Sequence, residues 1–202
     1  MDSDNKELKV SEEQKNSKGI RKYAPAVWEF VKIAVIALII VLPIRYFLFQ
    51  PFIVSGASMS PNFSTGDYLI VDEISYRFAS PQRGDVVVFD ASFVKEYSGQ
   101  RFIKRIIGLP GETVDITNGQ VEIIKDGKTT VLNEKYLPED LKTYGDVNIT
   151  LGNNQYFVLG DNRQHSYDSR MWGVVDQKYI IGKAFLRIFP VTSMSEISRP
   201  VY

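Results

Sequence analysis

Cysteine is absent from this sequence of 202 residues, and His165 is its only histidine. Disulfides and thiolate metal sites are therefore excluded, as is a zinc site built on several histidines. The sequence also has no excess of positive or negative charge, because 24 basic side chains balance 24 acidic ones. Nucleic-acid-binding proteins usually carry a strongly basic surface. We therefore expect no metal, no cofactor and no nucleic-acid partner.

Long apolar runs are also scarce, and the one that exists lies near the N-terminus. Residues 1–24 are polar and predict a disordered tail. The apolar segment 25–49 follows, and although its uninterrupted part, 33–44, is shorter than a spanning helix of roughly 20 residues, the whole segment is long enough. Trp28 and Tyr46 suit the two membrane interfaces. The segment predicts a single transmembrane anchor.

Two other interpretations of this segment compete with the anchor. A cleaved signal peptide would need an Ala-x-Ala-like site, and none follows. A buried core helix would not be apolar around its whole circumference in so small a protein. Lys15, Lys18, Arg21 and Lys22 precede the segment, so the positive-inside tendency predicts a cytoplasmic N-terminus at the cell membrane and an extracytoplasmic domain after residue 50.

Beyond the anchor, short β-branched runs are bounded by glycine, proline and aspartate, which is typical of strands. No long amphipathic helix is predicted there, so the predicted fold class is mainly β. A hairpin is expected around Asp126-Gly127, and Gly182 is a possible bulge in the last strand. We expect a folded domain over 50–195, with a polar, turn-rich insert and a C-terminal tail, 196–202. The strands are predicted at 68–71, 86–89, 101–107, 121–124, 129–132, 155–159 and 180–188.

One hydroxyl, that of Ser58, is surrounded by small residues in the stretch Ser55-Gly56-Ala57-Ser58-Met59-Ser60-Pro61. Gly56 and Ala57 leave Ser58 open to a substrate, and backbone N–H groups can converge where a chain turns without bulky side chains. Alone, such a stretch is more often an ordinary turn. Ser58 becomes a candidate nucleophile only together with a base.

Lys104 is the candidate base. In a strand it shares a face with Phe102 and Ile106, two large apolar side chains. It is either a solvated lysine on an exposed edge or a buried lysine. Burial would lower its pKa from about 10.4 towards ~7–8, where it can act as a general base. A neutral lysine beside Ser58 would form a serine–lysine dyad.

A polar stretch, 160–170, combines acids, arginines and hydroxyls. By itself it is typical of a surface loop. Charge-assisted pairs within it can hold the loop rigid, and its serines can orient a neighbouring amine. The residues concerned are Asp161, Asn162, Arg163, Ser166, Asp168, Ser169 and Arg170.

Four stretches in this order resemble the sequence boxes of bacterial type I signal peptidases, membrane-bound serine–lysine proteases of peptidase family S26, and the pattern is closer to the Gram-positive type. The resemblance extends from the anchor to about residue 190, and the four boxes together are highly specific. It implies a β catalytic domain with a small inserted β subdomain, expected at 112–154, behind one transmembrane helix. The stretches are Ser58-Met59-Ser60-Pro61, 66–71, 83–89 with 104–112, and 160–170.

The resemblance also implies roles for individual residues. Ser58 matches the nucleophile, Lys104 the general base, and Ser166 the serine that orients the lysine amine. The Ser58 N–H matches one oxyanion donor. Implied partners are the membrane lipid and preprotein signal peptides, with small residues at the −1 and −3 positions before the cut. The other implied site residues are Asp168 and Arg170, which stiffen the site, and Gly56, Met59, Asp161, Asn162 and Arg163.

The chain departs from the family's pattern at three positions. Gly56 stands where Gram-negative members often have a serine that helps the oxyanion hole, so the second donor stays open. Asn62 stands where threonine is common, a difference expected to alter turn bonding but not the chemistry. Asp176 stands where proline is frequent. Related peptidases of the endoplasmic reticulum use histidine as the base, but Lys104 at the base position disfavours His165 in that role.

The sequence therefore predicts a membrane-bound serine endopeptidase that removes signal peptides. Two alternatives remain: a dedicated maturation protease of the same superfamily, and a non-catalytic anchored module that binds exported proteins. The binding module predicts that Ser58 and Lys104 are dispensable. A self-cleaving repressor is disfavoured, because such proteins lack the anchor and carry a DNA-binding domain for which this sequence has no room.

Overall fold

The structure is a computed structural model, and it describes residues 25–42 and 49–202. The chain divides into two compact units, Met1–Tyr46 and Phe47–Tyr202, and each is described by itself. The tail predicted at 1–24 lies outside the described residues.

The first unit contributes helix α1, Pro25–Leu42, whose 18 residues are apolar enough to cross a membrane. At 1.5 Å per residue the helix is about 27 Å long, close to the ~30 Å hydrocarbon core of a bilayer. All of its residues are exposed, and its apolar side chains surround the helix. This is typical of a helix surrounded by lipid rather than of one that packs a single face against a protein core. The anchor predicted at 25–49 contains this helix. Residues 43–48 lie outside the described part of the chain, and Phe49 begins a strand.

The second unit is built from antiparallel strands, which confirms the mainly β fold class. A larger sheet has the order β1-β2-β11-β3-β4-β9-β10, with β12 paired to β11, and a smaller sheet has the order β7-β6-β5-β8. The described helices of this unit are short: α2 spans Ser75–Phe78 and α3 spans Ser169–Trp172. The strands are β1 Phe49–Ile53, β2 Tyr68–Asp72, β3 Val86–Asp90, β4 Arg101–Gly108, β5 Thr113–Thr117, β6 Gln120–Lys125, β7 Lys128–Val131, β8 Val147–Thr150, β9 Gln155–Leu159, β10 Val175–Asp176, β11 Ile180–Phe189 and β12 Ser195–Glu196.

The centre of the larger sheet is buried on both faces. Its strand β4 lies between β3 and β9, and residues 103–108 of it are all buried. Ile106 packs in a cluster with Phe89 on one face, whereas Ile107 packs with Phe157 and Val114 on the other. Side chains of successive residues point to opposite faces of a strand, so the predicted alternation along β4 is confirmed.

The smaller sheet covers part of the second face of the larger one. Val114, Ile116, Val121 and Ile123 are buried in the cluster that contains Ile107. Burying a large aliphatic side chain contributes about 1.5–3 kcal/mol to stability, so this cluster joins the two sheets firmly.

The hairpin expected around Asp126-Gly127 joins β6 to β7. Both turn residues have positive φ, 51° for Asp126 and 76° for Gly127, as the tight turns of hairpins require. The bulge expected at Gly182 is present as a register shift between Ile180 and Gly182.

Several short strands escape the sequence prediction. Strand β1 contains Pro51, which is tolerated because β1 is an edge strand. Strand β8 lies in the turn-rich part of the insert, where no individual strand was predicted. The expected C-terminal tail also packs onto the domain: Ile197 is buried and Arg199 Nε lies 3.2 Å from Asp85 Oδ1.

Candidate active site

Lys104 and Ser58 meet in the structure. Strand β4 carries Lys104 between two neighbouring strands, so that the residue is only 4% exposed. Its Nζ lies 2.8 Å from Ser58 Oγ and donates to the Ile103 carbonyl oxygen at 2.9 Å. The same amine lies 5.4 Å from the centre of the Phe102 ring. Of the two possibilities for this lysine, the structure has the buried one.

The pKa of Lys104 is lowered to about 8. The main cause is burial, which penalises the charged ammonium. The carboxylates of Asp168 and Asp161 act in the opposite direction and raise the pKa, but by less. A substantial fraction of Lys104 is therefore neutral near physiological pH, as a general base requires.

Ser58 lies in the loop between β1 and β2, which we call the nucleophile loop (residues 54–67). Its base is closed by two backbone bonds, from Val54 N to Asp67 O and from Gly66 N to Val54 O, both 2.9 Å. Met59 and Phe63 are buried in the core and hold the loop from below. Ser58 itself is half-buried beside exposed small residues, so a substrate can approach it.

The charged pairs of the polar stretch 160–170 differ from the expected ones. Asp168 does pair with Arg170, at 2.8 Å. Asp161, however, accepts two bonds from Arg105 on β4, at 2.9 and 2.7 Å. Arg163 pairs with Glu134 from the insert, at 2.6 Å. The stretch is therefore held mainly by ion pairs to other parts of the domain rather than by pairs within itself.

The stretch 160–162 docks directly onto the nucleophile loop. Asn162 N donates to the Ser58 carbonyl oxygen at 2.9 Å, and Asn162 Nδ2 donates to the Ala57 carbonyl oxygen at 3.1 Å. At Gly160 the approach is so close that a Cβ would overlap the Ser58 carbonyl oxygen and Ser166 Oγ. Only glycine fits at this position without displacing the backbone of the nucleophile loop.

The two serines of the stretch have different environments. Ser166 Oγ is buried beside Gly160 and has no hydrogen-bond partner among the described residues. Its implied role of orienting the lysine amine therefore remains a prediction. Ser169 Oγ accepts a bond from Val158 N at 3.0 Å, so its hydroxyl serves the backbone rather than Lys104.

Sequence reasoning missed two residues of the insert that support the site. Glu134 is the partner of Arg163, and the Tyr136 ring lies 4.2 Å from the Arg105 guanidinium. Both lie in the polar, turn-rich insert, and their partners are 29 and 31 positions away in the sequence. No local pattern distinguishes them from other polar loop residues.

A cleft of about 400 Å³ opens at Ser58 and Lys104. Its walls come from the nucleophile loop, the start of β4, and His165 and Tyr167. His165 Nδ1 lies 3.3 Å from Asn162 Oδ1. Among the described residues, only the amine of Lys104 forms a side-chain hydrogen bond with Ser58 Oγ, which favours the lysine over the histidine as the base.

Comparison with known proteins shows which family the chain belongs to. Residues 27–189 match the family described as signal peptidase, peptidase S26. The chain belongs to the signal peptidase family. As a member of peptidase family S26 it is an enzyme, a serine endopeptidase, and the resemblance noted in the sequence is confirmed.

Two curated signal peptidases align with most of the chain, and a solved one aligns with about half of it. A probable signal peptidase I-1 from Synechocystis sp. is 39% identical over 181 residues, which are 86% of this chain and 90% of the relative. A signal peptidase I from Bacillus amyloliquefaciens is 33% identical over 201 residues, 93% of this chain and 99% of the relative. A solved signal peptidase I from Enterococcus faecalis is 33% identical and covers 52% of this chain and 97% of its own, with a TM-score of 0.43.

Proposed function

We propose that this protein removes N-terminal signal peptides from exported preproteins, with Ser58 as the nucleophile and Lys104 as the general base. The observation that carries the proposal is the 2.8 Å separation of Lys104 Nζ from Ser58 Oγ. Burial lowers the pKa of this lysine to about 8. A base must lie within hydrogen-bond reach of the proton it removes and should have a pKa near the working pH, and Lys104 meets both conditions.

The reaction follows the usual course of acyl transfer. Neutral Lys104 takes the hydroxyl proton as Ser58 Oγ attacks the scissile carbonyl carbon. The Ser58 N–H stabilises the oxyanion as one of its donors. The C–N bond then breaks, and the leaving amine takes the proton from the lysine. A water molecule, deprotonated by the same lysine, hydrolyses the acyl-enzyme, and Lys104 returns the proton to Ser58 Oγ.

The cleft suits an extended peptide with small side chains near the cut. Its wall beside the dyad is formed by Ile53, Phe102 and Ile103 together with Tyr97 and Tyr167. The resemblance to signal peptidases implies preprotein substrates with small residues at the −1 and −3 positions, and a cleft bounded by these side chains is compatible with such substrates.

Helix α1 serves as the membrane anchor. Its length and apolar surface support this role, and the lysines and arginine that precede it favour a cytoplasmic N-terminus. The catalytic domain then lies outside the cytoplasm. Because the chain has no cysteine, single-cysteine variants at Asp4 and Ser193 can report sidedness in intact cells. An impermeant maleimide should label position 193 alone, and labelling of position 4 alone would contradict this orientation.

Cleavage by the detergent-solubilised full chain tests the nucleophile. Wild type should cut a preprotein after a small-x-small sequence, as read from the new N-terminus by mass spectrometry. Ser58→Ala should reduce the rate by at least about 10³-fold. Ser60→Ala is the matched control, because Ser60 lies in the same loop and its hydroxyl makes only a 3.4 Å contact with the Phe63 carbonyl oxygen. Undiminished cleavage by Ser58→Ala would refute the assignment, and no cleavage by wild type across several preproteins would favour a dedicated maturation protease.

A further inference from the structure

Asn62 lies four residues after Ser58 in the nucleophile loop and makes contacts far beyond its own turn. Its Nδ2 donates to the Tyr136 carbonyl oxygen at 3.0 Å and to Asp161 Oδ2 at 2.9 Å. A side-chain amide has two N–H donors, so both are used. Arg187 Nη2 also donates to the Asn62 carbonyl oxygen, at 2.7 Å.

The Asp161 carboxylate connects Asn62 to the strand that carries the base. Asp161 is fully buried, and it accepts bonds from Arg105 Nε and Nη2. Arg105 follows Lys104 directly on β4, and its Nη1 donates to the Gly84 carbonyl oxygen at 3.0 Å. One carboxylate therefore joins the Asn62 amide to the immediate neighbour of Lys104.

The nucleophile loop is thus attached to the stretch 160–162 on both sides of Ser58. Asn162 binds the Ala57 and Ser58 carbonyl oxygens at one end, and Asp161 binds the Asn62 amide at the other. Two points of attachment fix the orientation of a loop as well as its distance, and one point does not.

We propose that Asn62 is a positioning residue whose amide, through Asp161, holds Ser58 in line with Lys104. This inference rests on the proposed role of the Ser58–Lys104 dyad. Threonine, which is common at this position in the family, has one hydroxyl donor and cannot make both of the bonds that the amide makes. On this proposal Asn62, in place of threonine, affects the chemistry as well as the turn, contrary to the expectation from the sequence.

The competing explanation is that apolar packing alone positions the loop. Met59 and Phe63 are 1% and 2% exposed and anchor the same turn. The two explanations predict different kinetics. Asn62 is not among the residues that line the cleft, so its amide should affect the chemical step and leave substrate binding unchanged.

The test measures kcat and KM of the full chain in detergent with a preprotein substrate. Asn62→Ala should lower kcat by about ten- to a hundredfold and leave KM within about twofold, because small misplacements of reacting groups are costly. Asn62→Asp keeps the size of the side chain but replaces its donors with a carboxylate that faces Asp161, so it should lose at least as much. Asn148→Ala is the matched control, because it also removes an amide-to-carboxylate bond, to Asp115 in the smaller sheet, and it should leave kcat unchanged.

Circular dichroism melting shows whether each variant is folded. The rates are measured well below the lowest melting midpoint, so that unfolding does not contribute to a loss of activity. If Asn62→Ala does not fold, Asn62→Ser, which keeps one donor, takes its place and should show an intermediate kcat. An unchanged kcat, or a change in KM alone, would overturn the inference. Loss of activity in the alanine variant but not in the aspartate variant would also overturn it, because volume would then matter rather than donation. Failure of wild type to cleave in the same assay would instead count against the proposed function itself.

Discussion

The two sheets of the folded domain differ in where they keep their charges. Both are built from short β-branched runs, and one apolar cluster joins them. The charges of the smaller sheet lie towards solvent, as at Lys125 and Lys128. In the described part of the chain, no buried charged residue lies on β5 to β8. The buried charged residues are Asp67, Asp85, Lys104, Arg105, Glu112, Asp161, Arg163 and Asp168.

Lys104 and Arg105 show how burial changes the pKa of a basic side chain without and with an ion-pair partner. Burial alone would lower the pKa of Arg105, but its two bonds to Asp161 outweigh that effect and raise the pKa. Lys104 makes no ion pair within 4.0 Å among the described residues, so burial prevails and its pKa falls to about 8. The lysine proposed as the base is therefore a buried charge without a counter-ion, whereas the arginine next to it is paired.

The largest expected effect compares one lysine from each sheet. Lys104→Met should abolish cleavage, by about 10³-fold or more, because the base is lost. The fold should persist, since methionine fills the same buried space without an amine to desolvate. Lys128→Met, on the exposed strand β7, should cleave like wild type. Preprotein cleavage measures the effect, and circular dichroism checks the fold. Equal activity of the two variants would contradict the role of the buried lysine in the larger sheet.

A smaller effect is expected from one glycine of each region. Gly160→Ala should lower kcat by about ten- to a hundredfold, because the new Cβ would push against the Ser58 carbonyl oxygen. Gly127→Ala meets no atom within 4 Å, but its φ is +76°. It should therefore cost about 1–2 kcal/mol of stability without changing kcat. Urea unfolding and steady-state kinetics on both variants measure the two quantities, and an active Gly160→Ala would argue against tight docking at Ser58.

The smallest effect is a shift in pH dependence. In the proposed mechanism neutral Lys104 is the active form, so kcat/KM should rise with pH through an apparent pKa of about 8. The Asp168 carboxylate raises the pKa of this lysine. Asp168→Asn should therefore move the midpoint to lower pH, by less than about one unit. Asp115→Asn, on the exposed side of the smaller sheet, should leave the midpoint in place. A shift of the Asp168 variant to higher pH would contradict the electrostatics of the site.

The sequence predicts local features of this fold well. Alternation along residues 101–107 correctly placed Lys104 on the face of Phe102 and Ile106. Glycine and aspartate correctly marked the hairpin at Asp126-Gly127. These features are determined by residues that are close in the sequence, so the pattern of a single strand or turn is enough to predict them.

Features that depend on distant residues were not predictable in the same way. The partner of Asp161 is 56 positions away, on β4, and the partner of Arg163 lies in the insert. The sequence does not distinguish which arginine will pair with a given carboxylate. The pairing is decided only when the sheets pack and bring particular side chains together. The short strands β1 and β8 were missed for a related reason, because each is ordered by its neighbour in the sheet rather than by its own composition.

The contacts of Glu134 and Tyr136 show that the insert cannot be removed or exchanged without affecting the rest of the domain. The insert resembles an appendage that could be shortened or exchanged, as surface loops often can be. Yet it provides the carboxylate for one arginine behind the catalytic site and the aromatic cover for another. A minimised or chimeric version would need to supply a ring and an acid at the same two places, or leave Arg163 without its carboxylate partner and Arg105, still paired with Asp161, without its aromatic cover.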